Sequence, residues 1–135
     1  MKLSSRLHSW VYRRSGGRLL SRMGGQGVLL LTTTGRRSGL PRTTPVGFVR
    51  DGDALVLVAA GRGAPRPPAW FANLRADPSV SVQIGAERRA LSARVAEGEE
   101  RARLWGVLTR ANRWLERTRR RAGRELPVVV LGSPR

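Results

Sequence analysis

The run Val28-Leu29-Leu30-Leu31-Thr32-Thr33-Thr34-Gly35-Arg36-Arg37-Ser38-Gly39 leads from an apolar stretch into a basic turn flanked by glycines. Its first seven residues predict a β-strand, because aliphatic residues are followed by β-branched threonines. The two glycines allow backbone N–H groups to turn toward a ligand, Ser38 adds a hydroxyl, and the two guanidiniums add fixed charge. The run therefore predicts a strand that ends in a binding turn for a phosphate or a carboxylate.

The segment after this turn predicts a hairpin. Arg42–Arg50 has the composition of a second strand, and Pro45 within it indicates an edge position or a bulge. Asp51-Gly52 is a strong hairpin signal before a third strand over Ala54–Ala60. Two strands joined so tightly must be antiparallel.

The remaining elements alternate between helices and antiparallel strands. A loop rich in Gly and Pro separates the third strand from a short helix, and Pro68 suits the first turn of that helix. One continuous helix is predicted between Glu97 and Gly123, with apolar residues at intervals of four, three and four. The other predicted elements are a helix over Ala69–Ala76, strands over Ser79–Ile84 and Leu91–Val95, and a final strand over Pro127–Leu131.

These elements predict a mainly β fold with helical additions. About six antiparallel strands, joined mostly by hairpins, exclude a doubly wound parallel sheet and favour a small barrel. N-terminal, middle and C-terminal helices complete the prediction. With 135 residues the chain predicts one barrel domain over 24–135, preceded by an amphipathic helix and linker over 1–23.

The composition excludes several kinds of site. The chain has no cysteine, so it offers no disulfide, thiolate nucleophile or zinc–thiolate site. Its only histidine is His8, close to the N-terminus, which excludes Ser-His-Asp catalysis and a His-rich metal site. We therefore expect no metal cofactor.

The net charge of +17 comes almost entirely from arginine, which pairs well with carboxylates and phosphates. Such a charge favours an anionic partner: nucleic acid, anionic lipid or a polyanionic small molecule. Arginines at Arg117 and Arg119–Arg121 would give the last helix a basic face for nucleic acid or an anionic membrane. Nucleic acid is disfavoured, because the aromatic residues do not interleave with the basic ones.

The N-terminal segment has apolar residues from Leu3 to Val11 at helical spacing, with arginines beside them. A basic amphipathic helix of this kind can lie on an anionic membrane or cap the core of its own domain. The sequence contains no secretory signal and no spanning helix. We therefore expect a cytoplasmic protein and leave open contact with the inner face of the plasma membrane.

Two motifs resemble those of the deazaflavin-dependent nitroreductases, also described as F420H2-dependent quinone reductases. The first is Leu31–Gly39 followed by Pro41-Arg42 and Pro45, and the second runs from Arg50-Asp51-Gly52 to Pro68-Ala69-Trp70-Phe71-Ala72-Asn73-Leu74. The resemblance extends over most of the chain, and it implies a split β-barrel of the FMN-binding type. It also implies hydride transfer from reduced coenzyme F420 to a quinone, a nitroaromatic or another conjugated acceptor.

The resemblance further implies which residues meet the cofactor, whose phosphate and oligoglutamate tail suit a basic protein. The phosphate and the tail are expected to bind at the basic turn. The face of the deazaflavin is expected to lie along two strands, and the ring or the ribityl chain is expected to contact the middle helix. The residues implied are Arg36, Arg37, Ser38 and Gly39 for the turn, Pro45, Val46, Gly47, Val58, Ala59 and Ala60 for the face, Arg62 beside it, and Ala69, Trp70 and Asn73 for the helix.

The chain departs from this family where a proton donor is expected. Family members studied for nitro-reduction carry tyrosines near the reacting ring, and spacing from Leu126-Pro127 places these positions at Asn112, Leu115 and Thr118. Asn112, Thr118, a water molecule or bulk solvent remain the candidate proton sources. The alternatives left open are a non-catalytic F420 carrier and an FMN-dependent oxidoreductase on the same barrel. A homodimer is also left open, because barrels with exposed edges often pair.

Overall fold

Residues 27–134 are described by a computed structural model, in which six antiparallel strands close into one barrel. The order of strands around the barrel is β1-β2-β3-β6-β5-β4. The predicted N-terminal helix and the predicted boundary at residue 24 lie outside the described residues. The elements are β1 (Gly27–Thr34), β2 (Pro41–Asp51), β3 (Ala54–Val58), a short 3-10 turn (Gly61–Gly63), α1 (Ala69–Ala76), β4 (Ser79–Ile84), β5 (Glu87–Val95), α2 (Gly98–Ala111), α3 (Leu115–Ala122) and β6 (Val128–Gly132).

The barrel interior is filled by aliphatic side chains that alternate along the strands. Leu29 and Leu31 of β1 and Leu55 and Leu57 of β3 belong to one buried core cluster. Phe71 from α1 joins this cluster, so the middle helix closes one end of the barrel. The mainly β barrel predicted from the sequence is confirmed.

The barrel is split along part of β2. This strand pairs with β1 from Pro41 to Phe48 but with β3 only at Val49–Asp51. Pro45 therefore lies where β2 has one hydrogen-bonded neighbour, as the missing N–H of a proline requires. The unpaired stretch of β2 leaves a gap next to the end of β3, and this gap contributes to the candidate site.

A second hydrophobic cluster lies between α2 and the barrel. Leu104 and Leu108 of α2 pack with Val56 of β3 and with Val128 and Val130 of β6. These strand residues point away from the barrel interior, because their neighbours Leu55, Leu57, Val129 and Leu131 fill the first cluster. The helix α2 therefore covers the outer face of the strands next to the gap.

The single helix predicted between Glu97 and Gly123 is wrong, because the structure divides it into α2 and α3. The break occurs at Asn112, whose backbone has φ −138° and ψ 100°. Its side-chain Oδ1 accepts a hydrogen bond of 3.0 Å from the Trp114 N–H, which substitutes for helical bonding. The apolar spacing continues across the break, so periodicity alone conceals the corner.

No helix between residues 27 and 134 is long and apolar enough to cross a membrane. Within the same range, no three His, Cys, Asp or Glu side chains come together in a way that could hold a metal ion.

Candidate functional site

The basic turn after β1 is closed by two backbone hydrogen bonds. The Gly35 N–H donates to the Leu40 carbonyl, and the Gly39 N–H donates to the Gly35 carbonyl, both at 2.8 Å. Gly39 has a positive φ of 70°, which glycine adopts without strain. A Cβ at Gly35 would lie 2.6 Å from the Ser38 Oγ, so this position has no room for a side chain. Both glycines singled out in the sequence are therefore required by the shape of the turn.

Asn73 fixes this turn to helix α1. Its Oδ1 accepts hydrogen bonds from the Arg36 N–H at 3.2 Å and from the Arg36 Nη1 at 3.0 Å. Its Nδ2 donates to the Thr33 Oγ1 at 3.2 Å, and the residue is only 5% exposed. Asn73 therefore positions the basic turn, while its predicted contact with a cofactor stays a prediction.

Ser38 and Arg37 occupy the exposed part of the turn. The Ser38 Oγ accepts a hydrogen bond of 3.1 Å from the Leu40 N–H, which leaves its O–H free to donate outward. Arg37 is exposed and has no ion-pair partner among residues 27–134. A guanidinium and a hydroxyl are thus presented together to solvent, in a form suited to an anion.

A cavity of about 170 Å³ lies beside the gap between β2 and β3. Three of its lining residues are among those the sequence singles out as the face for a deazaflavin, namely Gly47, Val58 and Ala60. The α2–α3 corner supplies the other three, which are Leu108, Asn112 and Leu115. None of the six lining residues is titratable.

Strand β2 connects the cavity to the basic turn. Gly47 in the cavity lies six positions after Pro41 at the edge of the turn, which corresponds to about 20 Å of extended chain. The loop after β3 returns toward the same end of the barrel and continues into α1, whose Asn73 holds the turn. The site is therefore elongated, with an apolar end and a cationic end.

The loop that borders the cavity is held by Arg124. Its Nη2 donates to the Ala60 carbonyl at 3.4 Å and its Nε donates to the Ala64 carbonyl at 3.2 Å. Within this loop Arg62 has a positive φ of 59°, between two glycines that also have positive φ. A left-handed conformation costs a residue with a side chain about 1–2 kcal/mol. Arg62 is exposed and lies two positions after Ala60 of the cavity wall, but it is not among the lining residues.

The side chains of several other predicted site residues do not line the cavity. The side chains of Val46 and Ala59 are buried in the barrel core, so only their backbone could border the cavity. Trp70 packs against the same core, and Ala69 is exposed at the start of α1. Thr118 donates its hydroxyl to the Trp114 carbonyl at 3.0 Å and does not line the cavity.

The α2–α3 corner is held together by one carboxylate. Glu116 accepts hydrogen bonds from the Trp105 Nε1 at 2.6 Å and from the Arg119 Nη2 at 2.9 Å. These bonds, that of the Trp105 indole first and that of Arg119 second, hold the pKa of Glu116 below its ordinary value. The Trp105–Glu116 hydrogen bond thus fixes the corner that carries Asn112 and Leu115 to α2 across the break, while Arg119 supports Glu116 from within α3.

Comparison with known proteins assigns this architecture to a family. The model of the F420H(2)-dependent quinone reductases matches residues 4–133. The chain belongs to the F420H(2)-dependent quinone reductase family. An F420H(2)-dependent quinone reductase of Mycobacterium tuberculosis is 40% identical over 131 residues, which covers 93% of this chain and 87% of that protein. The sequence resemblance is therefore confirmed.

Solved structures agree with this assignment. An F420-H2 dependent reductase, FDR-A, superposes with a TM-score of 0.71 at 34% identity and covers 77% of this chain and 92% of its own. A domain-swapped dimer superposes with a TM-score of 0.75 at 30% identity, over 93% of this chain and 94% of its own. The split-barrel fold is thus confirmed by relatives as well as by the strand order.

Two contributors to the site were not found from the sequence. Leu108 was placed on the apolar face of a helix, but periodicity does not distinguish a core contact from a cavity wall. Arg124 is one arginine among many, and nothing in its neighbours signals the two carbonyl groups that it binds. The change of direction at Asn112 could have been suspected from an Asn within a helical pattern.

Proposed function

We propose that the chain binds reduced coenzyme F420 and transfers hydride from it to a quinone or another conjugated acceptor. One observation carries the proposal: an apolar cavity, over whose opening a flat ring can lie, is joined by β2 to an exposed basic turn. That arrangement suits a cofactor with a flat ring at one end and several negative charges at the other. It occurs in a member of a family named for F420H(2)-dependent quinone reduction.

The residues of this chain fit such a cofactor. The lining residues at the gap offer almost no polar groups, so they would exclude water from the face of a ring. At the other end, Arg36, Arg37 and Ser38 would hold the phosphate and the carboxylates of the tail. When bound, the reduced deazaflavin supplies the hydride, while the protein contributes binding, orientation and electrostatics.

Replacement of Arg37 tests the cationic end of this site. Arg37→Ala should weaken binding of F420 by about 1–3 kcal/mol, the cost of a lost charge-assisted hydrogen bond. Arg89→Ala, on β5 away from the turn, is the matched control and should leave affinity unchanged. Equal affinity of both variants, measured by titration with F420, would remove Arg37 from the site.

Two rival functions share the same barrel. A non-catalytic carrier would bind F420 without turnover, so oxidation of F420H2 by menadione or a nitroimidazole would exclude it. An FMN-dependent oxidoreductase would retain a yellow flavin during purification, whereas a deazaflavin protein would bind added F420 and not added FMN. The oxidation assay tests whether the protein is a catalyst, and the comparison of F420 with FMN identifies its cofactor.

A second candidate function is contact with an anionic membrane, which the α2–α3 corner favours. Trp114 is 64% exposed there, and the Arg117 guanidinium lies 4.8 Å from its ring centroid. An exposed indole among arginines suits the interface of an anionic bilayer, and a quinone acceptor dissolves in that bilayer. The segment Leu3–Val11 could add to this contact, and the protein would then act at the inner face of the plasma membrane.

Sedimentation with lipid vesicles tests the membrane contact. The protein should bind vesicles that contain phosphatidylglycerol and not vesicles of phosphatidylcholine alone, and Trp114→Ala should weaken that binding. Equal binding of the variant would exclude the corner as the docking site. Salt-sensitive binding to duplex DNA but not to vesicles would support the nucleic-acid alternative instead.

A homodimer is proposed on the likeness to the solved domain-swapped dimer. Light scattering of the purified protein should give twice the mass of one chain at high protein concentration. A constant monomer mass over the same concentration range would exclude a dimer.

A further inference from the structure

Among residues 27–134, only one polar side chain lines the cavity at the gap. Five of its six lining residues are glycine, alanine or aliphatic, and the sixth is Asn112. An apolar wall can hold a ring but cannot distinguish between rings, since one hydrophobic contact resembles another. Any directional recognition by a lining side chain within this cavity must therefore come from the carboxamide of Asn112.

The orientation of this carboxamide is determined by its own backbone. A backbone N–H can only donate, so the Asn112 atom that meets the Trp114 N–H at 3.0 Å is the oxygen Oδ1. The Nδ2 is therefore the other end of the amide, and residues 27–134 provide no acceptor for it. Asn112 is half-buried and lines the cavity, so its amide group is open to a ligand there.

The position of Asn112 is as well determined as its orientation. It caps the end of α2, where its own N–H donates to the Leu108 carbonyl at 2.8 Å. The Trp105–Glu116 hydrogen bond holds α3 against α2 on the other side of the break. The free N–H groups are thus carried by a rigid corner at the cavity wall.

We infer that Asn112 determines which electron acceptors this enzyme uses, by donating a hydrogen bond from Nδ2 to a carbonyl or nitro oxygen of the acceptor. The inference rests on the proposed function and names the substrate class of that same site. The cavity has about 170 Å³, and a cavity of about 150 Å³ holds one benzene-sized ring, so it cannot also contain the larger ring system of the deazaflavin, which would lie across its opening. The head group of a quinone or a nitroaromatic therefore fits beside the amide.

The hydrogen bond would be stronger in the transition state than in the bound acceptor. Negative charge develops on the acceptor oxygen as hydride arrives, and a positioned N–H donor stabilises this charge. A carboxamide does not release its proton at neutral pH, so Asn112 does not act as an acid. The reduced deazaflavin gives up one hydride and one proton, and the acceptor gains that hydride and one proton from solvent.

Two substitutions test the inference. Asn112→Asp retains an oxygen for the Trp114 N–H but replaces the donor by a charged acceptor, and Asn112→Leu removes both polar groups. With either change kcat/KM for menadione should fall about tenfold or more, as expected for a lost hydrogen bond. Methylene blue, a hydride acceptor without carbonyl or nitro groups, should lose less than twofold.

Ala102→Glu is the matched control, because it adds the same negative charge on an exposed position of α2. It should leave kcat/KM for both acceptors unchanged. A merely structural role of Asn112 would lower the rates with menadione and methylene blue equally, and that result would overturn the inference.

A readout without the cofactor separates this inference from the proposed function. Infrared difference spectra of menadione bound to the protein alone should show one carbonyl stretch at lower frequency, and this shift should be absent in Asn112→Leu. An unshifted carbonyl in the unaltered protein would overturn the inference even if menadione is reduced. Conversely, a shifted carbonyl without any oxidation of F420H2 would support the inference and contradict the proposed function.

Discussion

The basic turn at Gly35–Gly39 and the α2–α3 corner form the two ends of the candidate site, and they are stabilised in different ways. The turn is closed by hydrogen bonds between residues at most five positions apart, and Asn73 adds an external brace. The corner depends on the buried face of α2 and on Glu116 of α3, which accepts a hydrogen bond from Trp105 of α2 across the break. A locally bonded motif can be identified in a sequence, whereas a corner held by packing cannot.

The largest difference between the two ends should appear when one leucine is removed from each. Leu104 is fully buried under α2, and Leu40 beside the turn is 57% exposed. Leu104→Ala should lower the free energy of unfolding by about 2–5 kcal/mol through the cavity that it creates. Leu40→Ala should change it by less than about 0.5 kcal/mol. Urea denaturation of both variants measures the two values, and similar losses would contradict the proposed division.

Replacement of Asn73 should damage the turn without damaging the corner. Asn73→Ala leaves the Arg36 N–H and the Thr33 hydroxyl without their partners, at a cost of about 1–3 kcal/mol in the free energy of unfolding. Affinity for F420 should fall as well, because the turn is no longer fixed. Both quantities are measured by urea denaturation and by fluorescence titration.

Thr33→Val is the matched control for that experiment. It removes the acceptor of the Asn73 amide group but retains both hydrogen bonds from Arg36. Affinity for F420 should therefore remain at the level of the unaltered protein. An equal loss of affinity in both variants would show that the bonds to Arg36 are not what positions the turn.

The smallest expected effect concerns the pH dependence of the corner. The pKa of Glu116 is lowered from 4.5 in the folded protein, so its contribution to stability is present above about pH 4.5 and is lost as pH falls through the folded pKa. Glu116→Gln should lower the melting temperature at pH 7, and the difference from the unaltered protein should shrink as the pH falls toward 3. Glu99→Gln, at an exposed position in the first turn of α2, should show no such trend. A difference that is constant with pH would contradict the role assigned to the Glu116 carboxylate.

Much of the barrel could be predicted because its strands carry their own signals. β1 was evident from its apolar run, the β2–β3 hairpin from Asp51-Gly52, and the unpaired stretch of β2 from Pro45. Each signal lies within the element that it specifies. The break at Asn112 could not be predicted in the same way, since leucines on both sides of it keep helical spacing while packing in one cluster.

The candidate site was predictable at the level of backbone position but not of side-chain direction. The segments around Gly47 and Ala60 do border the cavity, but alternation along the strands places Val46 and Ala59 in the core. The sequence alone does not determine how neighbouring strands pair. It therefore does not show which of two consecutive residues directs its side chain toward the ligand. Asn73 illustrates the same limit: its importance was expected, and its bonding to Arg36 over 37 positions could only be observed.

Titration of the purified protein with F420 measures whether the apolar cavity and the basic turn together bind the cofactor. Binding is followed by the intrinsic fluorescence of the tryptophans, with FMN titrated in parallel. F420 should quench this fluorescence saturably at about micromolar concentration or below, and FMN should not quench it. Absence of a response to F420, or an equal response to FMN, would contradict this assignment of the cofactor.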